Sequence, residues 1–224
     1  MFKKAYNFVI YFEKALSDNS VGAYSAQAAF FVVISFSPFM LLMSREFSGV
    51  SLIPAIWAAS HCMLAVIKGL NKVYSCESKR SWFKLRLISI AYMLILQLMF
   101  AVALVVLVLG DELNKYLMLN KAVVNMRWVI GFGLLILFLT FLYKFAPERK
   151  SRMKQCLPGA VLGAVGWVGF SGVFSLYVAE FADYDAVYGG LSAVVSSMLW
   201  LYFCMFILFA GAQFNVWLEG VKFE

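Results

Sequence analysis

Residues 191–218 read LSAVVSSMLWLYFCMFILFAGAQFNVWL and decide the fold class of this chain. The run contains no charged side chain and is longer than the roughly 20 apolar residues that a helix needs to cross a hydrocarbon layer about 30 Å thick. Because lipid offers the backbone no hydrogen-bond partners, such a segment is stable in a bilayer as a helix. The stretch therefore predicts a transmembrane helix.

Five similar runs precede it, and the whole chain has the composition of a membrane protein. Of 224 residues, 63% are hydrophobic and 14% are charged, whereas soluble domains carry about 25% charged residues. The runs predict an all-α polytopic membrane protein, a bundle of six transmembrane helices that forms one domain over residues 21–218. The predicted spans are about 21–43, 52–70, 85–109, 128–145, 157–177 and 191–218.

The first twenty residues have a different pattern. They lack the continuous apolar core and the small-residue cleavage site of a signal peptide. Their apolar residues recur at spacings of three and four, namely Phe2, Tyr6, Val9, Phe12 and Leu16. Residues 1–20 are therefore predicted to form an amphipathic helix that lies in the membrane interface.

The net charge of +7 comes from clustered cations. Eleven of the nineteen Lys and Arg lie in two stretches, 68–86 and 144–154. Such residues accumulate in cytoplasmic links, so both stretches are predicted to be cytoplasmic. The link with Glu180, Asp183 and Asp185 is predicted to lie outside, and six spans then place both termini in the cytoplasm.

The basic links also predict the partners. A Lys or Arg near a bilayer surface attracts anionic lipid by about 1 kcal/mol, which explains these links more economically than nucleic acid does. Membrane lipids, including anionic phospholipid headgroups, are the expected partners, and the oligomeric state is left open. The candidate headgroup contacts are Lys79, Arg80, Arg149, Lys150 and Arg152.

Several polar side chains interrupt the apolar spans. His61, the only histidine, lies near the middle of the second span, where an ionisable group is costly and often functional. We predict that the first, second and sixth helices enclose a cavity open toward the cytoplasm. Hydrogen bonds between helices, worth about 1 kcal/mol each, are the structural alternative. The candidate substrate contacts are Gln27, His61, Lys68, Asn71, Lys72 and Gln213.

The fifth span carries glycines along one face. Gly159, Gly163 and Gly166 leave room for a second helix to approach closely. Tight packing within the bundle is one interpretation, and a dimer seam or a sliding interface is the other.

Motifs for catalysis are missing from the sequence. There is no G-x-S-x-G, Walker or H-E-x-x-H string, and the four cysteines have no ligand spacing. We therefore predict no enzyme, no catalytic residue, no metal and no cofactor. One histidine and three loop acids do not make a ribonuclease.

Several strings resemble the YihY/BrkB family of bacterial inner-membrane proteins. They are YSAQAAFF at 24–31, WAASH at 57–61, KGLNKVY at 68–74, LPGA at 157–160 and GAQFN at 211–215. The resemblance implies a multi-pass protein of the bacterial inner (plasma) membrane with six spans and cytoplasmic termini. The family has been linked to virulence and to the transport of lipid-like molecules.

Two features depart from that family. His61 stands where the family usually has Arg, and only residues 44–51 separate the first two spans, where relatives carry a longer segment. Our leading hypothesis is transport or translocation of an amphipathic, anionic, lipid-like substrate without an ATP site in the chain. The alternative is a non-transporting scaffold that recruits other proteins through its basic cytoplasmic links.

Overall fold

A computed structural model describes residues 2–43, 52–76, 80–95, 98–99, 121–149, 151–180 and 190–220. Over these ranges the chain forms seven helices and no strand, so the all-α prediction is confirmed for the part that the structure describes. The helices are α1 (Phe2–Asp18), α2 (Val21–Met43), α3 (Leu52–Val73), α4 (82–95), α5 (Lys121–Phe145), α6 (Met153–Glu180) and α7 (Gly190–Gly220).

Two of the described helices are long and apolar enough to cross a membrane, as judged by length and composition. They are Met153–Ala179 in α6 and Ser192–Gly220 in α7. Shorter apolar helical segments lie at Val21–Val33 and Val129–Phe145. The six-span bundle thus stays a prediction, and about half of its third span, together with the link at 44–51, lies outside the described residues.

The helices extend somewhat beyond the predicted spans. Helix α3 continues to Val73, α6 begins at Met153, and α5 begins at Lys121. Helical hydrogen bonding does not stop at the edge of an apolar run, because polar residues continue a helix where water or headgroups are present. The apolar runs therefore predicted the helix centres better than the helix ends.

Helix α1 is strongly amphipathic and packs beside α2 and α7. It ends in a tight turn in which the Ser20 amide donates to the Ser17 carbonyl at 2.9 Å, and Ser20 has a positive φ of 53°. The Asn19 side chain bridges from this turn to Gln213 of α7, with an Nδ2 to Oε1 distance of 3.0 Å. The Leu16 side chain near the end of α1 packs against the core.

Helix α7 has neighbours on several sides. It packs on α2, α3 and α6, while α2 lies along α3 and α5 lies along α6. Phe209 is fully buried, and its ring lies against the backbone of α3 at Gly69, where an added Cβ would be 2.6 Å from the ring. Other large fully buried side chains belong to the same core cluster as Phe209: Tyr143, Ile67, Leu70, Leu139 and Leu142.

Small polar side chains inside these helices bond to their own backbone. Ser25, Ser89 and Thr140 each donate to the carbonyl four residues earlier, at 2.7 to 2.8 Å. An unpaired hydroxyl would be costly in an apolar setting. This local bond lets them lie within apolar helices without a partner on another helix.

The glycine face of α6 lies against α7 and α5. A Cβ at Gly159 would collide with the Gly211 carbonyl oxygen, and one at Gly166 would lie 2.9 Å from Ile207. A Cβ at Gly163 would be 3.2 Å from the Tyr143 hydroxyl, which donates to the Leu208 carbonyl at 2.6 Å. The three glycines thus lie at helix contacts within one chain.

Candidate functional site

A charged cluster joins the link after α5 to the end of α7. The two terminal nitrogens of Arg149 donate to the two carboxylate oxygens of Glu219 at 2.6 and 3.0 Å. The guanidinium carbon lies 3.8 Å from the centroid of the Tyr74 ring, just beyond α3. Two parallel charged hydrogen bonds with ring stacking are among the stronger side-chain contacts. The cluster therefore fastens three segments together.

Charge and burial act in opposite directions on this cluster. Burial disfavours the charged form of Arg149, but the hydrogen bonds with Glu219 and the electrostatic interactions with Glu219, Tyr74 and Cys156 together outweigh that effect and raise the pKa of Arg149 above its ordinary value. Burial also raises the pKa of the Tyr74 hydroxyl and that of the Cys76 thiol. In both cases the positive charge of Arg149 opposes this rise but does not cancel it. Arg149 is therefore charged at neutral pH, while Tyr74 and Cys76 are neutral.

Asn215 links α3, α6 and α7 next to this cluster. Its side chain is fully buried, and its Oδ1 accepts a hydrogen bond from the Gly159 amide at 2.7 Å. Its Nδ2 donates to the Cys156 carbonyl at 3.1 Å and to the Tyr74 hydroxyl at 3.4 Å. All of these bonds connect different segments, so Asn215 acts as a structural residue.

A second set of contacts joins the link after α3 to the link after α5. Asn71 is 5% exposed, and its Oδ1 accepts from the Glu148 amide at 3.1 Å. Arg80 donates from Nη1 to the Ala146 carbonyl at 3.1 Å and lies 3.6 Å from the Glu148 carboxylate. The two links that the sequence predicts on one side of the membrane are thus in direct contact.

The six predicted substrate contacts differ in burial and in hydrogen bonding. Asn71 and Gln213 are buried and already bonded to Glu148 and Asn19. His61 is half-buried and stacks on Phe31, with ring centroids 4.9 Å apart. Among the six, three side chains are exposed: Gln27, Lys68 and Lys72. The two cavities described below are lined by other residues, so the role of these six in substrate binding stays a prediction.

The predicted headgroup contacts also separate into groups. Arg80 and Arg149 are held by Glu148 and Glu219, whereas Arg152 is exposed at the start of α6. The Arg152 amide donates to the Gln155 side chain at 2.8 Å, as in a capping box. Two further candidates, Lys79 and Lys150, lie outside the described residues.

Arg86 is a residue that sequence reasoning assigned no role beyond its charge. It is 5% exposed, its Nη2 donates to the Trp57 carbonyl at 2.9 Å, and its guanidinium carbon lies 3.9 Å from the Trp57 ring centroid. Its Nε has no hydrogen-bond partner in the described part of the chain. The signal was its position: Arg86 falls inside the predicted span 85–109 as well as in the basic stretch 68–86.

His61 lies in the same environment as Arg86. Its ring meets the Trp57 ring edge-on at 6.0 Å between centroids, and the positive charges of Arg86 and Lys68 act on it. Within the described ranges no carboxylate pairs with His61, and no group of three or more His, Cys, Asp or Glu side chains could hold a metal. This region can attract an anion.

Two cavities adjoin each other on α4 and α5. The basic cavity, about 530 Å³, is lined by Arg80, Ser81, Lys84, Lys144, Phe145, Pro147, Glu148 and Arg149. The apolar groove, about 600 Å³, is lined by Ile88, Ala91, Tyr92, Ile95, Met99, Leu137, Phe138, Phe141 and Phe145. Phe145 lines both. Their volumes are in the range of small-molecule sites, roughly 300–1,000 Å³.

Comparison with known proteins gives matches along most of the chain. A profile of the family described as Virulence factor BrkB matches residues 43–223. The chain is 31% identical over 182 residues to a Bacillus subtilis protein described as ribonuclease-like protein YfkH. The aligned region covers 76% of this chain and 65% of YfkH.

Two relatives are described as UPF0761 membrane proteins. The one from Idiomarina loihiensis is 27% identical over 172 residues, covering 72% of this chain and 58% of its own. The one from Tolumonas auensis is 26% identical over 188 residues, covering 80% and 60%. The chain thus spans about three-fifths of the length of these curated relatives. No solved structure matches it.

Proposed function

We propose that this chain, which belongs to the virulence factor BrkB family of membrane proteins, moves an anionic, amphipathic, lipid-like molecule through the bacterial inner membrane. The family expected from the sequence strings is thereby confirmed. The six spans, the cytoplasmic termini and the transport role are parts of the proposal, and the chain would do this without an ATP site and without catalysis.

The observation that carries the proposal is the buried guanidinium of Arg86. A buried cation is costly unless an anion or a full set of hydrogen bonds compensates it. Arg86 has the Trp57 carbonyl and ring as partners, while its Nε is unsatisfied within the described residues. An anionic headgroup that reaches this position would supply the missing acceptor and the opposite charge.

The surroundings of Arg86 support an amphipathic substrate. Trp57 is 49% exposed and Trp82 is 60% exposed, and their rings lie 6.3 Å apart. Aromatic rings with polar edges favour the boundary between headgroups and acyl chains. His61 and Lys68 add polar and cationic groups on α3. A molecule with a charged head and an apolar tail matches both kinds of side chain.

The test is lipid exchange between leaflets in vesicles that contain the purified protein. We expect the protein to accelerate exchange of fluorescent anionic phospholipid, and Arg86→Gln to lower the rate about tenfold, as the loss of ~1.4 kcal/mol would. His61→Ala combined with Lys68→Ala should also lower it. The matched control Lys154→Gln removes an exposed charge on α6 and should leave the rate unchanged.

Either of two results would contradict the proposal. One is the lack of any acceleration with anionic or zwitterionic lipid, although the protein is folded in the vesicles. The other is an accelerated rate that Arg86→Gln leaves unchanged. Folding of each variant is checked by the protection of Cys156 and Cys204, which are buried and free.

The second candidate function is recruitment of other proteins by the basic links. Arg152 favours it, because this side chain is exposed and basic at the start of α6. Substitution Arg152→Gln should then weaken capture of a partner from solubilised membranes and leave lipid exchange unchanged. Loss of exchange in that variant would instead favour a headgroup role for Arg152.

A further inference from the structure

We propose that the basic cavity and the apolar groove together form one binding site for an anionic phospholipid, with the phosphate in the cavity and an acyl chain in the groove. This inference rests on the proposed function for its role, because the bound lipid would be the cargo at its point of entry. It names a site that is separate from Arg86 and His61.

The basic cavity has more positive than negative charge. Four cationic side chains line it, with one carboxylate, Glu148. Glu148 is held by Arg80, and Arg149 is neutralised by Glu219. Two lysines remain, Lys84 and Lys144, and no carboxylate of the described residues pairs with either. A phosphate would balance their charge.

The lysines lie where a headgroup would meet an acyl chain. Lys84 is exposed in the first turns of α4, and Lys144 is half-buried near the end of α5. The Lys144 ammonium lies 4.6 Å from the centroid of the Phe145 ring, which lines both the cavity and the groove. Next to Lys84, Trp82 and Phe83 are 60% and 78% exposed, as expected of aromatic side chains at headgroup level.

The length of the apolar groove is close to that of one leaflet. On α5 its lining runs from Leu137 to Phe145, a distance of about 12 Å at a rise of 1.5 Å per residue. Half of a ~30 Å hydrocarbon layer is about 15 Å. The lining is aliphatic or aromatic throughout, with Tyr92 the one lining residue that carries a polar group. An acyl chain of one leaflet therefore fits its length and its chemistry.

The continuity of the two sites selects a phospholipid over simpler ligands. Inorganic phosphate would use the lysines and leave the groove without an occupant, and an uncharged hydrocarbon would leave the lysines without a counter-charge. Helix α4 contributes Lys84 to the cavity and apolar residues at 88–95 to the groove, and α5 contributes Lys144 to the cavity and apolar residues at 137–141 to the groove. The charged head and the apolar tail of one molecule satisfy both.

The test is photolabelling of the full chain in vesicles of phosphatidylcholine and phosphatidylglycerol. The probe is a phosphatidylglycerol with a photoactivatable group on its acyl chain, and labelled peptides are identified by mass spectrometry. We expect labels on Ala91, Ile95, Leu137 and Phe141. The double variant Lys84→Gln, Lys144→Gln should lower this labelling about tenfold, and Ala91→Phe should lower it by filling the groove.

The matched control is Lys14→Gln with Lys154→Gln, which removes the same charge from exposed positions outside the cavity. Its labelling should equal that of the unmodified chain. Unchanged labelling in the double variant, or equal labelling by a phosphatidylcholine probe, would overturn the proposal. Complete competition by soluble glycerol phosphate would also overturn it, because the headgroup alone would then be the ligand.

The lipid site and the transport role can fail separately. Labelling that depends on Lys84 and Lys144 without any acceleration of lipid exchange would support the site and contradict the proposed function. Accelerated exchange that depends on Arg86, with no labelling of the groove, would support the function and overturn the site.

Discussion

Ser75 follows the end of α3 in a conformation that usually belongs to glycine. Its φ is 51°. The Cys76 amide donates to the Asn71 carbonyl at 2.8 Å, and the Ser75 amide donates to the Lys72 carbonyl at 3.0 Å. These two bonds form a Schellman motif, in which the left-handed residue bears the conformational cost. A serine in this left-handed conformation at the end of α3 therefore lowers the stability of the protein somewhat.

Glycine at position 75 should therefore stabilise the protein. A left-handed conformation costs an L-residue about 1 kcal/mol that glycine does not pay, so Ser75→Gly should raise the free energy of unfolding by ~0.5–1 kcal/mol. The measurement is the reactivity of buried Cys156 and Cys204 toward a thiol reagent during thermal unfolding in detergent. The control Ser17→Gly lies inside α1 and should destabilise; a loss of stability in Ser75→Gly would contradict the assignment.

At the scale of the element, α6 and α7 approach each other through Gly159 and Gly211. A Cβ at Gly211 would lie 2.6 Å from the Gly159 carbonyl oxygen and 2.7 Å from the Tyr143 hydroxyl. Backbone atoms on both sides cannot move away as the end of a flexible side chain can. Asn215 adds a hydrogen bond to the Gly159 amide at the same contact.

A methyl group at this contact should separate the two helices. Gly159→Ala should cost about 2 kcal/mol or more of unfolding free energy, because overpacking of a tight contact costs ~1–3 kcal/mol and the bond to Asn215 would be strained. Gly169→Ala is the control, since a Cβ there has nothing within 4 Å; it should be neutral or stabilise by up to ~1 kcal/mol. Equal stabilities of the two variants would show that the close contact is unimportant.

At the scale of the whole molecule, side-chain contacts hold the links after α3 and α5 against the end of α7. The Arg149 and Glu219 side chains are 17% and 24% exposed and separated by 70 positions in the sequence. The Tyr74 ring adds a third segment to the same cluster. Breaking this ion pair affects how the end of α7 is held against the links.

Glu219→Gln should lower the free energy of unfolding by about 2 kcal/mol, since it leaves a partly buried guanidinium without its counter-charge. Arg152→Gln is the control, because that side chain is exposed and should change stability by less than ~0.5 kcal/mol. The raised pKa of Arg149 means that the stability it contributes is present below the ordinary pKa of arginine and lost only above it. The difference between the variants should therefore not shrink as pH is raised from neutral to about 9; an equal effect of both substitutions would contradict the assignment.

The fold class and the family were predictable from the sequence alone, because both depend on local patterns. The apolar content and the length of runs such as 191–218 predict helices without any knowledge of their neighbours. The glycine spacing in 159–166 likewise indicates where a helix can be approached, since it depends on the 3.6-residue period. Strings such as KGLNKVY and GAQFN indicated the family for the same reason.

The tertiary structure decided which polar side chains meet. Asn71 and Gln213 find partners 77 and 194 positions away, at Glu148 and Asn19, so polarity inside an apolar run did not distinguish a structural residue from a substrate contact. The sequence alone does not show that Arg86 bonds to Trp57. It also does not show that Phe145 lines both a basic cavity and an apolar groove. Such contacts depend on how helices cross, and crossing is set by side-chain packing between segments that are far apart in the sequence.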